Sequence, residues 1–379
     1  MTLQSSGNPI SFSQIRTEFG DGVNTASSPV RIGQYRRDDP SFTNEDVGSL
    51  SDLPLDTGVP TSVSAGSSSI AASNFFSKKL NVVVNYHTSN ENRPEDARSR
   101  YNASATSIGN ATNKWNVVGG YKNPPSNTSG TKVMINVNKE IGSVRGAADD
   151  GSDRNKVALR TGSSWNAGTT LQIDIGSSGR IQGAGGRGGP GGDTGGSTPD
   201  AGLTGTSGLG VEYAAQINNS GIIRCGYGGG GGGSGGASNP NKSQTDFGAT
   251  GGGGGGGAGI PFGLGSDGGT GAFNGGNTGG DGDDGTKDAG GNGGSAAADV
   301  GGASGGAGGN GADQVDTAAT QGGQGSGGGP GYDSSSAGSA GGGNGFGIIF
   351  SSSTIQTNST GNKTVSAANG GVSNSAGVA

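Results

Sequence analysis

The sequence holds one cysteine and one histidine in 379 residues, and each scarcity removes a class of chemistry. Cys225 alone cannot build a disulfide framework within the chain, and His87 alone excludes most histidine-based catalysis and metal binding. Hydrophobic residues make up only 27% and aromatics 5%, so an oil-filled core in proportion to the length cannot be built. Basic residues cluster only briefly, at Arg36 and Arg37 and at Arg93, Arg98 and Arg100, within a formal net charge of −6. No basic stripe is present, which argues against a nucleic-acid partner. No apolar run approaches membrane-spanning length, so no membrane insertion is expected. The opening stretch MTLQSSGNPISFSQ has neither a basic nor an apolar region of the signal-peptide kind, and synthesis in a cytoplasm is the expectation.

What the chain has instead is glycine, 89 residues of it. Glycine without a strict G-X-Y period usually means low complexity, because glycine loses the most backbone entropy on ordering. That description fits the second half better than the first, which carries β-branched runs and both tryptophans.

Residues 1–78 repeat a short pattern: Pro9-Ile10-Ser11-Phe12-Ser13-Gln14-Ile15, Pro29-Val30-Arg31-Ile32-Gly33-Gln34-Tyr35, and more weakly Ser69-Ile70-Ala71-Ala72-Ser73-Asn74-Phe75. Ser11 stands three residues before Gln14, the spacing of a capping box, which predicts a short helix with Ile15 and Phe19 on one face. From Lys79 to Ile181 alternating segments predict strands: Leu80–Tyr86, Trp115–Val118, Lys132–Val137, Val157–Leu159 and Leu171–Ile175. The expected fold is mainly β, with a sandwich-like domain at 79–175. Tryptophans 115 and 165 are expected in the core or at a strand edge, with sugar stacking as the alternative.

After Ile175 come glycine tracts, among them Gly183–Gly196, Gly226–Gly236, Gly251–Gly259, Gly275–Gly285, Gly301–Gly311 and Gly338–Gly347. Two of them follow related lead-ins, Ile173–Ile181 and Ile217–Arg224. Blocks of similar length with recurring lead-ins point to an ordered lattice. Polyproline II suits it, having about three residues per turn, about 3.1 Å rise and no internal hydrogen bonds. Without Cβ atoms such helices can approach and bond to one another directly. The predicted units are 1–78, 79–175, a glycine-rich polyproline-II bundle at 176–350, and a terminal strand and tail at 351–379. If each tract from Gly226 crosses once, spacers alternate between ends. Phe247, Phe273 and Tyr332 then share one end, and Phe262 lies at the other. Such loop aromatics are candidate receptor contacts or caps of the bundle.

Other motifs carry less. Gly308–Asp316 fits a calcium-binding nonapeptide once, without the tandem copies that such sites need. Asp281, Asp283 and Asp284 read as a solvated turn or a cation site, and the G-x-G-x-x-G matches lack a βαβ setting. No catalytic residue, metal or cofactor is expected.

Two resemblances add to this reading. The stretch Gly7-x-x-Ile10-Ser11-Phe12-Ser13-x-Ile15-x-x-Glu18-Phe19-Gly20 resembles a motif at the start of tail proteins of cyanophages and related tailed phages. It implies attachment to other virion proteins through Ile10, Phe12, Ile15, Phe19, Ile32 and Tyr35. The tract-and-spacer layout of 176–350 resembles receptor-binding adhesins at the tips of some T-even-type tail fibres. In these, glycine-rich segments stack as a polyproline-II sandwich and end loops touch the host. The resemblances imply a non-enzymatic tail-fibre adhesin located on the virion and made in the host cytoplasm. Its expected ligand is a host surface polysaccharide or outer-membrane protein, and a homo-oligomer is expected. The alternatives are an architectural head-fibre, decoration or baseplate protein, and a polysaccharide depolymerase with paired carboxylates.

Overall fold

A computed structural model describes residues 9–11, 14, 82–86, 94–97, 115–117, 129, 132–143, 155–193, 198–235, 249–270, 278–297, 304–314 and 337–373. The fold is mainly β, with one short α-helix among the described residues.

Period-two patterning sets the strands. In β4 (Lys132–Val137) and β7 (Thr170–Ile175) the valine, isoleucine and leucine side chains point in and Lys132, Met134, Asn136, Thr170, Gln172 and Asp174 point out, giving alternating burial along both strands. Between them lie β5 (Glu140–Ile141) and β6 (Val157–Arg160), and after them β8 (Arg180–Gln182), β9 (Ser207–Val211), β10 (Ala215–Asn219) and β11 (Ile222–Arg224). Successive strands visit three sheets in rotation. β4, β7 and β10 pair in one, β5, β8 and β11 in a second, and β6 and β9 in a third, all parallel.

The chain therefore coils as a three-sided parallel solenoid, not as two facing sheets. Alternation reveals which residues face inward, but it is the same for a sandwich and for a coil. Ile135, Ile173 and Ile217 stack in register at the centre, each fully buried, and each such side chain contributes roughly 1.5–3 kcal/mol. Four more strands extend the sheets: β1 (Val82–Tyr86), β2 (Glu95–Asp96), β12 (Ile348–Phe350) and β13 (Thr360–Gly361). β3 (Trp115–Val117) pairs antiparallel with β1, and β14 (Val372–Ser373) pairs parallel with β12. Helix α1 (Ser353–Asn358) is N-capped by Ser352, and its Ile355 packs on the core with Val365 and Val372.

The glycine segments leave the solenoid at one corner, between the second and third sheets. Residues 183–206 join β8 to β9, and residues 225–347 join β11 to β12. The strands thus continue on both sides of residue 175.

Nine described segments make the bundle: 183–193, 198–206, 225–235, 249–260, 261–270, 278–286, 289–297, 304–314 and 337–347. They are joined by backbone hydrogen bonds every third residue. Gly183, Gly186, Gly189 and Gly192 donate to the carbonyls of Arg224, Tyr227, Gly230 and Gly233, at 3.2, 2.8, 2.8 and 2.8 Å. Three residues is the turn of a polyproline-II helix.

Position in the bundle sets glycine content. Segment 249–260 bonds to six others and is uninterrupted glycine from Gly251 to Gly257. Segment 183–193 bonds to four and has one outward row, where Arg187, Pro190 and Asp193 are exposed. Within the packed rows a side chain does not fit: a Cβ on Gly254 would lie 2.0 Å from the Gly230 oxygen.

Residues 260–264, expected as a spacer loop, belong largely to the lattice. The carbonyls of Pro261 and Leu264 accept from Gly185 and Gly188, both at 2.9 Å, while the Phe262 and Leu264 side chains stay partly exposed.

Candidate functional site

Hydrogen-bond registers fix the direction of every segment. Bonds from Gly183 to Arg224 and from Gly186 to Tyr227 climb together, so those segments are parallel. Bonds from Gly251 to Gly192 and from Gly254 to Gly189 run in opposite senses, so 249–260 returns. Segments 183–193, 225–235, 261–270 and 289–297 thus lead away from the solenoid, and 198–206, 249–260, 278–286, 304–314 and 337–347 lead back. The bundle has a proximal end at the solenoid and a distal end.

Among the described residues, two proximal turns are taken up by docking. The Ser143 amide donates to the Ile260 carbonyl at 2.8 Å. The turn between 278–286 and 289–297 is clamped to three neighbouring strands: Lys287 to Glu140 of β5 at 2.7 Å, and Asp288 to Arg180 of β8 at 2.6 Å and to Arg224 of β11 at 3.0 Å. Arg180 and Gln182 also donate to the Lys287 carbonyl, both at 2.9 Å. The Arg180 hydrogen bond holds the Asp288 carboxyl below its ordinary range, with Arg180, Arg224 and Lys287 charges adding to it against the opposing effect of burial. Beside this joint Tyr227 donates to the Ala368 carbonyl at 2.7 Å. Burial pushes the Cys225 thiol up to about 12.

At the distal end stand Asp193, Gly235, Ala249, Thr250, Thr270, Thr278, Ala297, Ser304 and Ala337. Side chains tie them together across segments. Asp193 accepts from the Thr270 amide and hydroxyl at 2.6 and 2.9 Å, and buried Thr250 accepts from the Gly279 amide at 2.5 Å. Ser339 donates to the Pro199 carbonyl. Residues 236–248 and 271–277 connect segment ends at this face, and they carry Phe247 and Phe273. Those two residues and Tyr332 lie outside the described residues.

The acidic residues singled out in the sequence have structural work. Asp281 and Asp284 are not in a turn: they sit within 278–286 and accept from the Gly268 and Gly265 amides at 3.0 and 2.8 Å. Asp283 accepts from the Asn292 side chain at 3.1 Å. Asn310, inside the nonapeptide match, accepts from the Gly293 amide at 2.8 Å. Such side chains satisfy amides on the rims of the lattice, and the three-residue spacing of Asp281 and Asp284 was the sequence signal for it. Among the described residues no group of three or more His, Cys, Asp or Glu is arranged to hold a metal.

Trp165 is buried and donates to the Thr161 carbonyl at 3.0 Å, so it is a core residue. The capping box at Ser11 and Gln14 is formed, with the Ser11 amide donating to Gln14 at 2.8 Å and the Gln14 amide to Ser11 at 3.2 Å. Ile10 is half-buried against the solenoid core. Phe12, Ile15, Phe19, Ile32 and Tyr35 lie outside the described residues, as does the side chain of Trp115.

No curated protein matches the chain. It is similar to a chain in the crystal structure of the gp37-gp38 adhesin tip complex of the bacteriophage S16 long tail fiber. That likeness has 20% identity and a TM-score of 0.36, and covers 77% of this chain and 82% of that one. The family model for the phage tail fibre adhesin Gp38 matches residues 103–314, more than half of the sequence. The chain therefore belongs to the Gp38 family of phage tail fibre adhesins, proteins of the virion tail that bind host receptors.

Proposed function

We propose that the distal end of the bundle is the receptor-binding end, with Phe247, Phe273 and Tyr332 among the contacts. One observation carries this reading: among the described residues two proximal turns are held in the joint at Ile260, Lys287 and Asp288, while the segment ends at Asp193, Thr250, Thr270 and Ala297 lie at the end away from the solenoid. A rigid scaffold that presents loops at one end is a recurrent way to build recognition, since aromatic loop residues bring large contact area at low entropic cost. The three-residue hydrogen-bond period supports a polyproline-II bundle over 176–350 as that scaffold.

The ligand is a host surface polysaccharide or outer-membrane protein, and the protein acts without catalysis. Residues 1–78 attach it to other tail proteins through Phe12, Ile15, Phe19, Ile32 and Tyr35, whereas Ile10 is engaged with the solenoid core. The assembled form is a homo-oligomer.

The test is saturable binding of the full chain to intact host cells. A fragment starting at residue 176 would cut the solenoid between β7 and β8, so the whole protein is needed. The double variant Phe247→Ala and Tyr332→Ala is expected to lose binding while remaining folded. Undiminished binding would place the receptor site elsewhere.

A further inference from the structure

The distal end holds a second kind of residue, one that reaches across segments without belonging to the loops. Thr250 is fully buried at the start of 249–260. Its hydroxyl accepts from the Gly279 amide at 2.5 Å, and its carbonyl accepts from the Ala297 amide at 3.1 Å. Thr250 follows the 236–248 connection, Gly279 follows 271–277, and Ala297 precedes 298–303. One residue thus joins the bases of three distal connections. Asp193 does the same for two more bases, since it precedes 194–197 and accepts from Thr270, which precedes 271–277.

We infer that Thr250 and Asp193 are positioning residues for receptor recognition, setting the distances between loop bases at the distal end. The inference rests on the distal reading given above. The chemistry suits the task. A glycine lattice has hardly any side chains with which to lock one segment against another along their length, and backbone bonds repeating every third residue tolerate a slip of one period. A hydroxyl bonded to one particular amide does not. Losing it would leave the buried Gly279 amide with only its longer bond to the Gly269 carbonyl, at 3.3 Å, and free that segment end to shift.

The chain contains its own control. Thr206 is also buried and its hydroxyl accepts from the Ala184 amide at 2.7 Å, the same contact at the proximal end. Thr206→Val and Thr250→Val therefore remove the same kind of bond at opposite ends.

The experiment measures binding of full-length wild type, Thr250→Val, Thr250→Ser, Thr206→Val and Asp193→Ala to intact host cells, at a temperature where each is folded. Amide exchange at Gly279 and thermal midpoints are measured in parallel. Thr250→Val is expected to weaken binding about fivefold, the effect of one net hydrogen bond, with faster exchange at Gly279. Thr250→Ser restores binding, and Thr206→Val lowers the midpoint at least as much but binds like wild type. Asp193→Ala, at an exposed site, reports on the same positioning should Thr250→Val fail to fold, and it is expected to weaken binding without lowering the midpoint. Equal binding by Thr250→Val and Thr206→Val, or wild-type binding by Asp193→Ala where Thr250→Val does not fold, overturns the positioning role. If the Phe247 and Tyr332 double variant meanwhile loses binding, the distal reading stands alone. If that double variant binds normally, both fall.

Discussion

Replacing Gly254 by alanine tests the lattice within its central segment. The added Cβ would stand 2.0 Å from the Gly230 oxygen, where ordinary contact begins at 3.4 Å, so the two segments must part by about 1.4 Å. Three hydrogen bonds meet there, all at 2.8 Å: Gly254 to Gly189, Gly189 to Gly230, and Gly230 to Gly255. At about 1 kcal/mol net for each, their loss costs about 3 kcal/mol. Alanine also restricts the unfolded chain, which offsets this by about 0.4–1 kcal/mol. A net destabilisation of about 2–3 kcal/mol is expected, measured by guanidinium unfolding of the full chain. Ala307→Gly, on the outward row of 304–314, removes an exposed methyl and should cost only about 0.4–1 kcal/mol. Equal effects of the two substitutions would refute the close approach of the backbones.

Two further outcomes follow from the joint. The folded-state pKa of Asp288 lies below its ordinary value of 3.8, so its contribution is present above that value and is lost as pH falls through the folded one. Thermal midpoints of wild type and Asp288→Asn should therefore differ at neutral pH and converge below about pH 4. Cys225 is fully buried, with its thiol pushed up to about 12. Iodoacetamide at about pH 8 should leave it unmodified in the native protein and label it after denaturation.

The sequence showed single strands well and their assembly poorly. Lys132–Val137 and Leu171–Ile175 were legible because branched side chains alternate with polar ones, and the observed strands are Lys132–Val137 and Thr170–Ile175. The coil left one trace, the matching pieces Ile173–Ile181 and Ile217–Arg224, which in the fold are β7 with β8 and β10 with β11, stacked in register. The insertion of 183–206 between them hid the repeat.

Glycine density located the central segments 225–235 and 249–260 but passed over 198–206. There only Gly202 and Gly205 occur, three residues apart, since this segment meets three neighbours and keeps side chains elsewhere. The period, more than the amount of glycine, marks a lattice segment. At the candidate site, the grouping of segment ends followed from counting crossings. The ties made by Thr250 and Asp193 did not, because nothing in the sequence says which amide a lone hydroxyl or carboxylate will meet.

The alternating directions of the segments also decide how the protein carries load. On the proposed reading, a particle tethered at the proximal end and a cell held at the distal end would pull along the length of the segments. The hydrogen bonds run across that length, so tension reaches them as shear shared by a whole row and does not open them one after another. Lattice built from weak backbone bonds can in this way keep its grip while a virion drags against its host.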